Sequence, residues 1–186
     1  MARPLTKAQK DFLTKLIRVD QAGELGADLI YNGQHSVFKR TNKKLAPLIH
    51  HMWQQEVFHR QTFNRLQNDH RIRPSLLTPI WKACAFTLGA STALMGKEAA
   101  MACTEAVETV IGGHYNAQLR WLVENFPKDT DGMEEIKSMV KQFRDEELEH
   151  LDIAIENDSN QARPYWLLTE TIKAGCRGAI FVAEKL

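Results

Sequence analysis

Apolar residues recur along most of this chain at alternating steps of four and three, and sustained period-two alternation of β-branched residues is nearly absent. Breakers divide the helical pattern: "RTNKK" at 40–44, "RIRPSLLTP" at 71–79, "FPKDTDG" at 126–132 and "NDSNQARP" at 157–164. The spacing predicts long helices over about 7–40, 45–69, 90–124 and 132–157, with two shorter apolar helices at about 74–90 and 164–184. "LGAS" at 88–91 is expected to bend the chain before the third long helix, and "FPKDTDG" is expected to turn it. Short connections within the first and last helix pairs imply antiparallel neighbours. The expected class is all-α, a single domain over 1–186.

The same spacing assigns faces. Met133, Ile136, Val140, Phe143, Glu147, His150 and Ala154 fall on one stripe. So do Leu45, Leu48, Met52, Glu56, His59, Phe63 and Leu66. In the first helix, Leu13, Ile17, Asp20, Glu24, Ala27, Tyr31 and Phe38 share a face. In the third long helix, Met101, Thr104, Glu108, Ile111, Tyr115 and Leu122 do so less cleanly. Each stripe is interrupted near its middle by carboxylate or imidazole. In "RDEELEHLD" at 144–152, Glu147 and His150 are thereby expected to point inward, while Asp145, Glu146, Glu149 and Asp152 fall off the stripe and are expected to be solvated.

Glu-x-x-His places two ligand-bearing side chains one helical turn apart on one side. It occurs as "EVFH" (Glu56, His59) and as "ELEH" (Glu147, His150), each in phase with an apolar stripe. An inward Glu precedes each occurrence, Glu24 before the first and Glu108 before the second. A helix with Glu followed by a helix with Glu-x-x-His, repeated, is the ligand set of di-iron and di-manganese carboxylate bundles. The implied fold is a ferritin-like four-helix bundle with two additional amphipathic or apolar helices. Four carboxylates and two imidazoles buried without partners would each cost several kcal/mol, on the order of the penalty for any unpaired buried polar group. Two divalent cations neutralise the four carboxylates, and oxygen–imidazole ligation without thiolate suits iron or manganese better than zinc. Taken singly, any of these residues is as well explained as a salt-bridged or hydrogen-bonded core residue.

Composition narrows the field. The chain has 186 residues, 44% of them hydrophobic, and a formal net charge of +1, so it is long enough for one real core. No basic stripe points to nucleic acid. Cys84, Cys103 and Cys176 lie far apart with no Cys-x-x-Cys pair, which fits a reducing compartment and argues against a zinc ribbon, an iron–sulfur cluster or a Cys₄ rubrerythrin-like iron site. "MARPLTKAQKDF" holds no apolar signal-peptide core and is too poor in arginine to be assigned as a transit peptide.

Several longer blocks carry a resemblance: "IRVDQAGELGAD" around Glu24, "GKEAAMACTEAVE" leading to Glu108, "HYNAQL" after it, "FRDEELEH" ending at His150, and the closing "AGCRGAIFVAEKL". Over nearly the whole chain the sequence resembles the demethoxyubiquinone hydroxylases, membrane-associated di-iron monooxygenases of ubiquinone biosynthesis. The resemblance implies iron ligands at Glu24, Glu56, His59, Glu108, Glu147 and His150, and it favours Glu108 over the nearby Glu105. It implies two iron ions, O₂ as the oxygen source, and two electrons with NADH as the expected donor, relayed in one version through the quinone itself. No Gly-x-Gly-x-x-Gly marks a nucleotide pocket. His114 and Tyr115 become candidates for tuning the metal or relaying electrons; a core tyrosine with a hydrogen-bonded neighbour explains them equally. Asp20 is placed to orient a ligand histidine or to pair elsewhere, and Gly23 and Gly26 to allow close helix approach or local flexibility.

A polyprenyl quinone substrate lives in the bilayer, which gives the greasy segments 76–96 and 174–186 a reading as interfacial walls of an apolar tunnel. Both are too short to span a membrane. Packing on the bundle, or joining two copies in a homo-oligomer, is the alternative. The resemblance further implies peripheral attachment to the matrix side of the mitochondrial inner membrane, or to the bacterial cytoplasmic membrane, and a ubiquinone-biosynthesis complex with a lipid-binding accessory protein. A ferritin-like ferroxidase and a membrane di-iron quinol oxidase are the rival functions on the same bundle.

Overall fold

The computed structural model describes residues 5–126, 130 and 132–185. Six α-helices and one 3₁₀ turn follow one another, with no strand among the described residues: α1 (Lys7–Thr41), α2 (Ala46–Asp69), α3 (Thr78–Met95), α4 (Lys97–Asn125), α5 (Met133–Glu156), the turn at Ser159–Gln161, and α6 (Tyr165–Lys185). The protein is the all-α chain that the helical periodicity implied, in the ferritin-like bundle that the order of Glu and Glu-x-x-His implied. Residues 127–129 and 131 of the expected "FPKDTDG" turn lie outside the described residues.

Local chemistry sets the helix starts. Thr6 caps α1 by accepting from the Gln9 backbone N–H, while its own N–H donates to Gln9 Oε1 at 2.8 Å, a capping box read directly from T-x-x-Q. Proline opens both α2 and α3, where the missing N–H costs nothing. The break after the greasy segment falls later than expected. α3 runs unbroken through "LGAS" and stops at Gly96, whose φ of +126° is open to glycine and strained for other residues.

The glycine of "LGAS" serves contact. A Cβ on Gly89 would lie 2.0 Å from the Ile30 carbonyl oxygen, and one on Gly33 would lie 2.5 Å from the Phe86 carbonyl oxygen, so α1 and α3 touch backbone to backbone. Gly23 and Gly26 have no such neighbour; space for a Cβ is open at both, so they permit no close approach.

α1 and α2 form one hairpin and α4 and α5 the other, while α3 and α6 lie across α1 and α4. Two apolar clusters fill the bundle. Tyr31, Phe38, Ile49, Met52, Met101 and Ala154 belong to one, and Ile17, Phe63, Tyr115, Leu122, Val140 and Phe143 to the other. Between α1, α3, α4 and α6 sits a third, with Ile30, Ala85, Cys103, Val107 and Ile172. α4 is thus packed from several sides, and for that reason its apolar stripe is diffuse in sequence: Ala99 to Glu108 are all buried.

The α1–α3 contact makes a clear expectation. Gly89→Ala must push α3 off α1 and should lower stability by about 1–3 kcal/mol. Gly175→Ala, where a Cβ meets open space on a helix, should be neutral or stabilising by about 0.5–1 kcal/mol. Denaturant unfolding of the two variants measures the difference; equal stabilities would contradict the contact.

Candidate metal centre

Midway along the bundle the six residues selected by face meet. Glu24 comes from α1, Glu56 and His59 from α2, Glu108 from α4, Glu147 and His150 from α5. None is more than 2% exposed. Their ligand atoms fall into two groups, Glu24, Glu56, His59 and Glu147 in one, and Glu56, Glu108, Glu147 and His150 in the other, with every atom of a group within 4.8 Å of the rest. Glu56 and Glu147 are shared, so each group adds one terminal carboxylate and one imidazole.

The imidazoles are oriented alike. His59 turns Nδ1 inward, 3.2 Å from Glu147 Oε1 and 3.4 Å from Glu24 Oε2, and its Nε2 outward to Glu146 Oε2 at 2.5 Å. His150 turns Nδ1 inward, 3.0 Å from Glu56 Oε1, and its Nε2 outward to Gln55 Oε1 at 2.9 Å. With Nε2–H donated outward, Nδ1 is the atom turned to the centre, and its lone pair becomes available when a cation displaces the proton it carries. Tyrosines brace the terminal carboxylates: Tyr31 donates to Glu108 at 2.8 Å, and Tyr115 donates to Glu24. Phe143 stacks on His59 with ring centroids 4.0 Å apart, and Tyr31 meets His150 edge-on at 5.6 Å.

These contacts leave the inward atoms without hydrogen bonds: Nδ1 of both histidines, Oε2 of Glu24 and Glu108, and both oxygens of Glu56 and Glu147. Orphaned buried acceptors are costly, and here they converge. Four carboxylates and two neutral imidazoles fit two divalent cations in number, charge and donor type. No cysteine belongs to either group.

Electrostatics give the same picture. Burial pushes Glu56 and Glu108 well above the ordinary carboxylate range, and the nearby Glu147 charge pushes further. Burial opposes charge on Glu147 too, yet His150 and His59 outweigh it and hold it down at about 2. Burial likewise disfavours a charged His59, but Glu147 and Glu24 outweigh it and lift its pKa to about 12. Tyr31 and Tyr115 are raised well above the usual phenol value by burial and by Glu108 and Glu24 respectively, so both stay protonated donors. Without a cation the cluster therefore holds protons.

Other expectations are placed as follows. Tyr115 touches Glu24, whereas the half-buried His114 touches none of the six; its Nε2 lies 2.9 Å from Gln118 and 3.4 Å from Asp20. Asp20 accepts from Gln118 at 2.7 Å and orients no histidine of the cluster. Glu105 faces α6, accepting from Tyr165 at 2.5 Å, and stands apart from the cluster. Glu146 corrects the sequence reading: instead of lying fully in solvent it is half-buried against His59, because the position before each inward Glu flanks the opposite helix. Asp145, Glu149 and Asp152 are exposed. The contacts of Tyr31, Gln55 and Glu146 went unseen. A signal existed: Glu24 to Tyr31 and Glu108 to Tyr115 are both seven positions apart, and Gln55 and Glu146 each precede the Glu of a Glu-x-x-His.

Comparison with known proteins covers nearly the full chain. The family model described as "Ubiquinone biosynthesis protein COQ7" matches residues 11–183. The mitochondrial 5-demethoxyubiquinone hydroxylase of Saccharomyces cerevisiae is 58% identical over 190 residues, which is 98% of this chain and 82% of that protein. The mitochondrial NADPH-dependent 3-demethoxyubiquinone 3-hydroxylase of Homo sapiens is 49% identical over 172 residues, covering 92% of this chain and 77% of its own. The 3-demethoxyubiquinol 3-hydroxylase of Rhodospirillum rubrum is 44% identical over 174 residues, 94% and 78% respectively.

A cation entering the cluster must displace its protons, so the bound form carries fewer of them and affinity rises with pH. Titrating metal-free protein with cobalt(II) in buffers of different ionisation enthalpy should show proton release near neutral pH, and apparent affinity should be higher at pH 8 than at pH 6. Binding without proton release would contradict this arrangement.

Proposed function

The chain belongs to the family of the ubiquinone biosynthesis protein COQ7, and from that premise we propose that it is a di-iron monooxygenase hydroxylating the ring of a polyprenylated demethoxyubiquinone. One ring C–H becomes C–OH and the second oxygen atom of O₂ leaves as water; a reduced nicotinamide supplies two electrons and one proton as a hydride, and solvent supplies the second proton. The names of the mammalian relatives specify NADPH, where the sequence resemblance had pointed to NADH. The observation that carries the reading is the convergence of six buried side chains whose inward atoms lack hydrogen bonds.

Glu24, Glu56 and His59 with Glu147 would hold one iron, and Glu56, Glu108, Glu147 and His150 the other. When bound, the pair supplies the two-electron activation of O₂. The remaining work belongs to the chain. Tyr31 and Tyr115 fix the terminal carboxylates and keep one oxygen of each turned inward. Glu146 and Gln55 fix the histidine tautomers. Phe143, Phe63, Met52 and Met101, each at most 1% exposed, keep bulk water from the centre.

Substrate access fits the side covered by α3 and α6. Among the described residues no helix is long and apolar enough to cross a membrane. Both helices nonetheless expose large apolar groups: Ile80, Phe86, Leu94 and Met95 on α3, Trp166, Leu167 and Phe181 on α6. Such faces suit peripheral attachment on the side of α3 and α6. The names of the yeast and human relatives say mitochondrial, which supports a mitochondrial setting; the matrix face of the inner membrane, or the bacterial cytoplasmic membrane, is what the family resemblance adds. A multiprotein complex with a lipid-binding accessory subunit, suggested by resemblance alone, would draw on the same apolar faces.

Anaerobic reconstitution with ferrous iron should give two irons per chain, and turnover should give a product one oxygen atom heavier than the demethoxyubiquinone supplied. Glu147→Ala removes a carboxylate shared by both positions and should abolish both results; hydroxylation retained in that variant would sink the mechanism. A ferroxidase would leave the quinone unchanged, and a quinol oxidase would return it without added oxygen. Separately, replacing Trp166 and Phe181 by Ser should reduce flotation with anionic vesicles while iron content stays at two. Unchanged flotation would remove these residues from the membrane face.

A further inference from the structure

The centre obeys a crossed two-fold relation in nearly every contact. Tyr31 from the first hairpin braces Glu108 of the second, and Tyr115 from the second braces Glu24 of the first. Both histidines turn Nδ1 inward, and Glu56 and Glu147 each belong to both groups. Gln55 of α2 reaches across to His150 of α5, and Glu146 of α5 reaches across to His59 of α2.

That last pair breaks the relation. Equivalent positions hold a neutral amide on one side and a carboxylate on the other. The carboxylate contact is the shorter, 2.5 Å against 2.9 Å, as expected when the acceptor carries charge. Glu146 is 23% exposed, so its charge keeps partial hydration, and Gln142 Nε2 holds its other oxygen at 2.9 Å. An imidazole donating Nε2–H to a carboxylate becomes a more basic ligand at Nδ1 than one donating to an amide oxygen. A carboxylate at this position would also attract a cation held by Glu24 and His59.

Building on the metal-centre reading above, we propose that the two metal positions are inequivalent: the position formed by Glu24 and His59 binds its cation more tightly and fills first, because Glu146 stands where the other position has Gln55. Glu146 and Gln55 are positioning residues, acting on the metals only through the histidines. The single exchange of Glu for Gln thus gives a nearly symmetric ligand cage an order of filling.

The test is titration of the metal-free full chain with cobalt(II), followed by calorimetry and by ligand-field absorption. The wild-type protein should bind two equivalents in two resolved steps. Glu146→Gln should weaken the first step by about tenfold to a hundredfold and leave the second nearly unchanged. Gln55→Glu should strengthen the second step and draw the two together. Both substitutions are isosteric, which keeps the fold out of the comparison. Glu146→Gln combined with Glu108→Ala should weaken the single step that remains; combined with Glu24→Ala it should not. Two equivalents bound in one unresolved step, or swaps that move both steps equally, overturn the inequivalence while leaving the metal centre intact. A folded protein that binds no cobalt at all overturns the centre and this inference with it.

Discussion

Four carboxylates gathered in the dry middle of a helix bundle repel one another, and the two imidazoles set among them cannot offset four negative charges. Among the described residues, the ion pairs these carboxylates make are with His59 and His150. Everything around the centre follows from that constraint. The inward atoms are left without hydrogen bonds, and the outward atoms are tied down by Tyr31, Tyr115, Gln55 and Glu146. Protons fill the place of cations when none is present, which is why His59 rises to about 12 while Glu147 falls to about 2.

The apolar parts are arranged about this polar middle. One cluster of large side chains closes the bundle on the Phe38–Met52 side and another on the Phe63–Leu122 side, so the charged groups are isolated along the bundle axis. α3 and α6 then cover α1 and α4, leaving their own outer apolar residues uncovered. The close seat of α3 on α1 depends on Gly33 and Gly89, whose missing side chains let the two backbones touch. A polar centre, a dry surround and exposed apolar residues on α3 and α6 are together compatible with ring hydroxylation of a quinone.

Much of this was legible in the sequence because helical periodicity is a property of local spacing. The stripes through Glu24, Glu56, Glu108 and Glu147 could be counted off, and the two Glu-x-x-His pairs stood in phase with them. What stayed hidden depends on tertiary neighbours. Periodicity put Glu146 off the apolar stripe, correctly, but could not show that the flank of α5 leans on α2 and His59. "LGAS" reads as a bend because glycine so often makes one; only the approach of Ile30 shows that its glycine serves contact. α4 gave the least distinct stripe because its neighbours leave it no wet face over Ala99–Glu108.

The crossed contacts also bear on how such a chain is inherited. Each hairpin supplies the outer supports of the other's ligands: Tyr31 and Gln55 of the first serve the second, and Tyr115 and Glu146 of the second serve the first. The supports cross between the hairpins, so neither hairpin is complete alone. Drift in one half is felt at once in the other, and the two must be kept as a matched pair. Neither hairpin, taken by itself, holds both the ligands and the groups that support them.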